Sequence, residues 1–265
     1  MQNTQALIAA LLLTIPYART VADELPTSED EDISEITVKA TRVANQSPAS
    51  SYATVATALR FDPSTELQSR GLAEGQSDVS VRGGLFENTG FKIGAVTVMD
   101  PQTGHYVAEL PVDPALMSVP AVSKGIDSAV EGFNSAIATV SYGIRAIEDG
   151  GHLMLGAGSD SLNYQSLRFG AVTNNAAGND LGFAVSVARS EGDGSVEFGD
   201  HEFARANLQV QHATNTSQSD LILSYQDKFY GWPGAYTGFA TLPETDETQT
   251  SLLLFNHRRY SDAGW

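Results

Sequence analysis

Cysteine is absent from the 265-residue chain, which removes disulfides, thiolate nucleophiles and cysteine-based zinc sites together. Positive charge is scarce: 15 Lys and Arg stand against 32 Asp and Glu, a formal net charge of −17. A phosphate backbone is held by clustered Lys and Arg, so nucleic acid is excluded as a partner. Long apolar runs are lacking as well. The run Ala6 to Ile15 (ALIAALLLTI) falls well short of the ~20 residues a spanning helix needs. If the chain lives in a membrane, it does so with strands closed into a barrel. Catalytic signatures are also missing. His105, His152, His201, His212 and His257 are scattered, with no HExxH, no Gly-x-Ser-x-Gly elbow, no P-loop and no dinucleotide fingerprint. An enzyme is the least favoured class. What is plentiful is apolar content, at 42%, and glycine, at 24 residues; together they predict a folded, turn-rich β chain.

The N-terminus reads as an address. The apolar run ends in small residues at Thr20 and Ala22 before Asp23, as in a secretory signal peptide spanning residues 1–22. Residues 23–44 follow as a tether: Asp23, Glu24, Glu29, Asp30, Glu31, Asp32 and Glu35 face no base up to Glu35. Self-repulsion and little apolar surface predict a flexible, solvated segment. Behind it, Glu35 to Val43 (EITVKATRV) alternates Ile36 and Val38 with polar neighbours, a β-prone string. Two uses are open to it: adding to the sheet edge of another protein, or opening the next domain as an ordinary strand.

The middle third predicts a compact α+β unit. Val55 to Arg70 offers a short helical stretch broken at Pro63, and Asp78 to Arg82 alternates as a strand ending at Gly83-Gly84. Phe91 to Met99 (FKIGAVTVM) reads as one strand buried on both faces. Asp100 to Tyr106 is a loop, Pro114 to Ala121 a short helix, and Val122 to Ile126 and Ala136 to Ile147 are strand-like.

From His152 the pattern changes to long hairpins. Leu181, Phe183, Val185 and Val187 alternate with Gly182, Ala184, Ser186 and Ala188; Leu153, Leu167, Leu208, Leu221 and Leu252 open comparable segments, six arms in all to Tyr260. The intervening residues are small or amide-bearing, unlike the Lys and Glu of a solvated face. That composition over ~10-residue arms is the transmembrane barrel pattern, although soluble sandwiches alternate too. Short breaks at Asn174–Asp180 and Ala213–Asp220 alternate with long ones at Glu191–Asp200 and Gly231–Glu247. Phe198, Phe203, Phe229, Tyr230 and Trp232 gather at the long-loop end, where an interfacial belt is expected.

Signal, tether, β-prone box, α+β unit and barrel hairpins stand in the order of TonB-dependent outer-membrane receptors, which the chain resembles from about Glu35 onward. Glu35, Ile36, Thr37, Val38, Lys39, Ala40 and Thr41 resemble the TonB box; Asp78 to Gly84 (DVSVRGG) resembles the plug strand ending in an Arg-Gly pair, and Ile93 to Asp100 the following plug strand. In place of the family's later plug signature, Ser123 to Arg145 carries Gly125, Gly132-Phe133-Asn134 and Tyr142-Gly143. The resemblance implies a plug at 45–148 followed, at 149–265, by the first six or so strands of an incomplete antiparallel barrel, the chain being an N-terminal fragment. It further implies the bacterial outer membrane with the tether in the periplasm, and energy-coupled uptake of a scarce nutrient such as a siderophore, cobalamin or glycan. The implied partners are the TonB protein, outer-membrane lipid and a small-molecule or metal-chelate ligand. A passive porin or adhesin barrel, or a secreted β-rich binding protein, is the alternative.

Two loops are candidates for ligand contact. Asp100, Gln102, Thr103, His105 and Tyr106 offer carboxylate, amide, hydroxyl, imidazole and phenol groups after the second plug strand. Trp232 and Tyr236 crown the third long loop. Asp193, Glu197 and Asp200 in the second long loop are oxygen donors for calcium, without EF-hand spacing, against the plainer reading of a solvated acidic loop.

Overall fold

The computed structural model of the chain describes residues 54–69, 76–99, 108–132, 135–174, 179–234, 237–238 and 242–260. These lie in one compact unit, Arg42–Trp265. The signal-like run, the tether and the box at Glu35 to Thr41 fall outside the described residues.

The α+β part begins with a 3-10 helix, Val55–Phe61, stopped by Asp62-Pro63. Asp62 closes the turn, accepting from Ser64 N at 2.7 Å and Ser64 Oγ at 2.5 Å, with Lys124 Nζ at 3.7 Å. Partial burial works against its charge, but the Ser64 bonds and the Lys124 ammonium outweigh it and hold the carboxyl below its usual range. Strands β1 (Thr65–Ser69) and β2 (Ser77–Val81) pair antiparallel. At the end of β2 the chain reverses through Arg82 and Gly83, both in the left-handed region at φ 52° and 71°.

A second, four-stranded sheet holds β3 (Thr89–Ile93), β4 (Val96–Val98), β5 (Ala121–Lys124) and β6 (Ala138–Tyr142) in the order β4-β3-β6-β5. Only β3 and β6 run parallel. The single buried strand expected over Phe91 to Met99 is thus a hairpin, turned at Gly94 (φ 58°), with Val96 and Met99 exposed. Its apolar run concealed the turn, since Gly94 was the only punctuation. Likewise the helix expected over Pro114 to Ala121 is a three-residue 3-10 turn, Pro114–Leu116, capped by Asp113 and followed by strand. A one-turn helix, α1 (Ile126–Ala129), follows β5. Val55, Leu59, Val79, Val81, Phe91, Ile93, Val140 and Tyr142 make the core. The Tyr142 phenol donates to Val55 O at 3.1 Å, and burial raises its pKa far above the ordinary tyrosine value.

The second part is one six-stranded antiparallel meander: β7 (Gly150–Ala157), β8 (Asn163–Asn174), β9 (Asp180–Gly192), β10 (His201–Ala213), β11 (Ser217–Gly231) and β12 (Thr245–Arg259). The six expected arms are all there. The sheet is not closed; β7 and β12 are its edges. Connections 193–200 and 232–244 at one end are longer than 175–179 and 214–216 at the other, the asymmetry expected from sequence; 158–162, at the first end, is as short as 175–179. The start of β12 extends well before Leu252, because Thr245 to Ser251 (TDETQTS) carries no apolar residue to betray a strand.

Burial along this sheet is inverted relative to a soluble protein. In β9, Leu181, Phe183, Val185 and Val187 are exposed while Gly182, Ala184, Ser186, Ala188 and Ser190 are buried. Registered across the strands, Phe169, Val185, Leu208, Leu223 and Leu253 form one outward rung, and Ala171, Phe183, Val210, Leu221 and Phe255 the next. The other face, called inner here, packs against the α+β part. Phe203 and Tyr230 point to it and are buried, so they do not belong to the aromatic belt expected at the long-loop end. Their position in strand parity, not their chemistry, decides this.

Gly94 sits where the β3–β4 turn meets the wall. A Cβ there would lie 2.3 Å from Asn256 Oδ1, and the left-handed backbone adds about 1–2 kcal/mol for any L side chain. Gly94→Ala is expected to loosen the hairpin, read as several-fold faster limited proteolysis within residues 90–107 of the full-length protein; unchanged cleavage would contradict the close approach.

Candidate functional site: the polar inner face of the sheet

Residues that alternate with the apolar rungs face the α+β part, and they are amides, hydroxyls and a few charges. Asn207, Gln209 and Gln211 stand two apart on β10 and so share the inner face. Asn207 accepts from Asp113 N at 2.9 Å and donates to Pro111 O at 2.8 Å. Gln211 accepts from Ile147 N at 3.0 Å and donates to Arg145 O at 3.1 Å; Gln209 also reaches Arg145 O, at 3.4 Å. Both glutamines donate to Asp220 Oδ1, at 3.1 and 2.6 Å, and Gln218 donates to Oδ2 at 2.9 Å, so this fully buried carboxylate is held by three amides. On β12, Asn256 accepts from Ala95 N at 3.3 Å.

Small residues let the other part approach. A Cβ at Gly170 would lie 2.5 Å from Glu148 O, so β8 admits the incoming chain only because this position is glycine. Among the amides, Ala184, Ile222 and Leu254 form an apolar island continuous with the α+β core.

Toward the long-loop end the chemistry becomes ionic. Lys228 on β11 pairs with Glu109, their side chains 2% and 7% exposed. The other oxygen of Glu109 accepts from Ser77 N at 2.9 Å, so one carboxylate joins the start of β2 to the wall. Lys228 also lies over the Tyr230 ring at 5.4 Å, and Arg205 over Phe203 at 5.4 Å. His201 contacts Ser190 Oγ through Nε2 at 2.8 Å.

The expected ligand residues Asp100, Gln102, Thr103, His105, Tyr106 and Tyr236 lie outside the described residues. Trp232 is described: its N–H donates to Glu244 O at 2.7 Å, closing the base of the third long loop. Among the described residues no group of three or more His, Asp or Glu is arranged to hold a metal ion, so Asp193, Glu197 and Asp200 are not brought together. Asp193 instead accepts from Ser161 Oγ at 2.5 Å and ties two loops. The sequence reading assigned no role to Glu109, Lys228 or the β10 amides. The signal was present, in amides and a lysine at even spacing on the face opposite the apolar one.

No protein-family model matches the chain, and no curated protein matches it by sequence. Solved structures that match the chain include the following two. The P. aeruginosa FpvA chain, solved bound to heterologous pyoverdines including an iron complex, gives a TM-score of 0.55 at 16% identity over 77% of this chain. A copper transporter, OprC, gives 0.48 at 16% identity over 66% of this chain and 30% of its own. The chain spans 29% of the FpvA chain it matches. Likeness to FpvA shows a shared fold over the matched part of the chain. Among the described residues no helix is long and apolar enough to cross a membrane.

Removing one partner of a buried ion pair costs about 3–5 kcal/mol, whereas replacing both is far cheaper. Lys228→Met is therefore expected to raise hydrogen exchange in peptides covering Ser77 and residues 108–117, and Lys228→Met with Glu109→Gln to restore most of the protection. Equal exchange in the single and double variants would show that the pair does not hold this seam.

Proposed function

We propose that the chain is the plug and first wall strands of a TonB-dependent outer-membrane receptor that takes up a scarce nutrient, such as a siderophore, cobalamin or glycan, by energy-coupled transport. The observation that carries this reading is the two-faced sheet: a continuous apolar face turned outward and an amide-lined face occupied by the α+β part. Apolar rungs of Leu, Val and Phe left exposed would be unfavourable in water, at about 25 cal/mol per Å², and are at home in lipid. In lipid, unpaired backbone groups cost several kcal/mol each, so β7 and β12 must be joined by further strands to close the wall. The fold likeness to FpvA supports the same kind of protein.

A passive porin or adhesin shares the outer face but has no use for a folded unit bonded to the inner one. A plug does. Its seam is built mainly from amides bonded to backbone, each worth a net ~0.5–1.5 kcal/mol because water substitutes readily for either partner. A seam of that kind holds at rest and yields to a directed pull. Glu35 to Thr41, β-prone on an acidic tether, is the handle by which the TonB protein would deliver that pull through strand addition. The loop bearing Asp100, Gln102, Thr103, His105 and Tyr106, with Trp232 and Tyr236, is the proposed ligand contact, and calcium at Asp193, Glu197 and Asp200 gains no support from the geometry.

Deleting Glu35 to Thr41 from the full-length protein is expected to leave ligand binding to cells intact and to abolish uptake. Undiminished uptake would refute the coupling.

A further inference from the structure

The two ends of the apolar band differ in charge. At the long-loop end the outward positions carry Glu191, directly opposite Glu202, together with Asp227 and Glu247; Arg189 is the sole base there and is already bonded to Glu191 at 2.6 Å. At the short-turn end the outward row below Phe183, Val210, Leu221 and Phe255 reads Leu181, His212, Ser219, His257 across β9 to β12, with Arg259 one step further along β12. His257 Nδ1 is 2.8 Å from Ser219 Oγ. Arg258, on the opposite parity but exposed, is fixed in place: its Nη2 donates to Gln218 Oε1 at 2.8 Å, its guanidinium lies 5.3 Å from the Tyr260 ring centroid, and Tyr260 OH donates to the same oxygen at 2.9 Å. The short connections themselves are uncharged, NNAAGN at 174–179 and TNT at 214–216.

We propose that the short-turn end of β10 to β12 is a docking surface for the headgroups of anionic phospholipids, with Arg258 and Arg259 as the phosphate contacts and His212 and His257 beside them. This inference rests on the membrane reading above. Two observations select a lipid. The basic residues adjoin the apolar rungs, so a molecule whose tail lies on Leu221, Leu253 and Phe255 places its phosphate beside them. Charge complementarity holds at this rim and is reversed at the other. Among the described residues the opposing carboxylate nearest this patch is Asp220 of β11, fully buried on the inner face and held by Gln209, Gln211 and Gln218; the others belong to the far side of the sheet, where Asp180 begins β9 and Glu148 and Asp149 precede β7, Asp149 accepting from Val172 N at 2.6 Å. At ~4.8 Å per strand, β9 is already ~14 Å from β12, beyond a Debye length of ~8 Å at physiological salt. Guanidinium groups suit the task, since their fork matches a phosphate oxygen pair.

The test is native mass spectrometry of the full-length protein in detergent, titrated with phosphatidylglycerol or phosphatidylethanolamine. Preferential retention of phosphatidylglycerol is expected. A basic residue near an anionic surface contributes about fivefold in affinity, so Arg259→Gln should lower that retention about fivefold and Arg258→Gln/Arg259→Gln further, while Arg189→Gln leaves it unchanged. Equal retention of the two lipids, or an equal loss in Arg189→Gln and Arg259→Gln, overturns the proposal. If Arg258→Gln loosens the strand end through Gln218, Arg259→Gln decides alone. A protein recovered in the aqueous phase without detergent would instead overturn the membrane reading itself.

Discussion

The structure depends on strand parity. In a strand, successive side chains point to opposite faces, so a sheet that places Leu, Val and Phe at one parity has fixed the chemistry of its other face. Here the apolar parity is turned away from the rest of the protein, and the other parity is mostly small or hydrogen-bonding, with Phe203, Ile222 and Leu254 among its apolar members. Ala184 and Ser186 make room; Asn207, Gln209 and Gln211 make bonds. The backbone of a second folded part supplies what those amides need, at Pro111, Asp113, Arg145 and Ile147. The inner contacts are thus mainly hydrogen bonds from these amides, around the apolar island of Ala184, Ile222 and Leu254.

Against this seam of neutral amides the Glu109–Lys228 pair is a different kind of contact. An amide released from a carbonyl recovers most of its energy from water. A carboxylate and an ammonium buried together recover nothing unless both reach solvent, and separating them in place is costly. Glu109 also receives Ser77 N, so the movement of β2 and the breaking of the ion pair are coupled through one side chain. The seam thus contains a graded set of bonds and one that resists until water enters. Asp220 illustrates the contrast: its charge is equally buried but is solvated by Gln209, Gln211 and Gln218 within the wall, so it holds the wall and not the seam.

Most of the large sheet was legible because its signal is periodic. Gly182, Ala184, Ser186 and Ala188 between four apolar residues give both the strand and the sidedness of β9, and the six arms and unequal connections follow from similar runs. Reading failed where periodicity was absent or ambiguous. Thr245 to Ser251 has no apolar parity, so the first half of β12 was invisible. Phe91 to Met99 is mostly apolar and β-branched, which hides a two-residue turn whose only marker is Gly94. Phe203 and Tyr230 were judged by residue type where parity was the better guide. The even spacing of Lys228 and the β10 amides marks their face, but the partner is another matter: Glu109 lies on an irregular segment that docks onto the large sheet, a long-range event with no local trace.

Charge follows the same geometry. The chain carries 32 acids and 15 bases. Acids accumulate in the connections at the long-loop end, at Asp160, Asp193, Glu197, Asp200 and Glu244, while those at the other end have none. Lys228 is drawn inward by Glu109, and Arg258 and Arg259 close the last strand at the opposite end from the acidic loops. A sheet whose band of apolar side chains separates an anionic rim from a cationic one is electrically polarised along its strands. In a membrane whose leaflets differ in headgroup charge, that polarity acts on orientation independently of the loops, because exchanging the two rims would set Glu191, Glu202 and Glu247 against the phosphates that Arg258 and Arg259 otherwise meet.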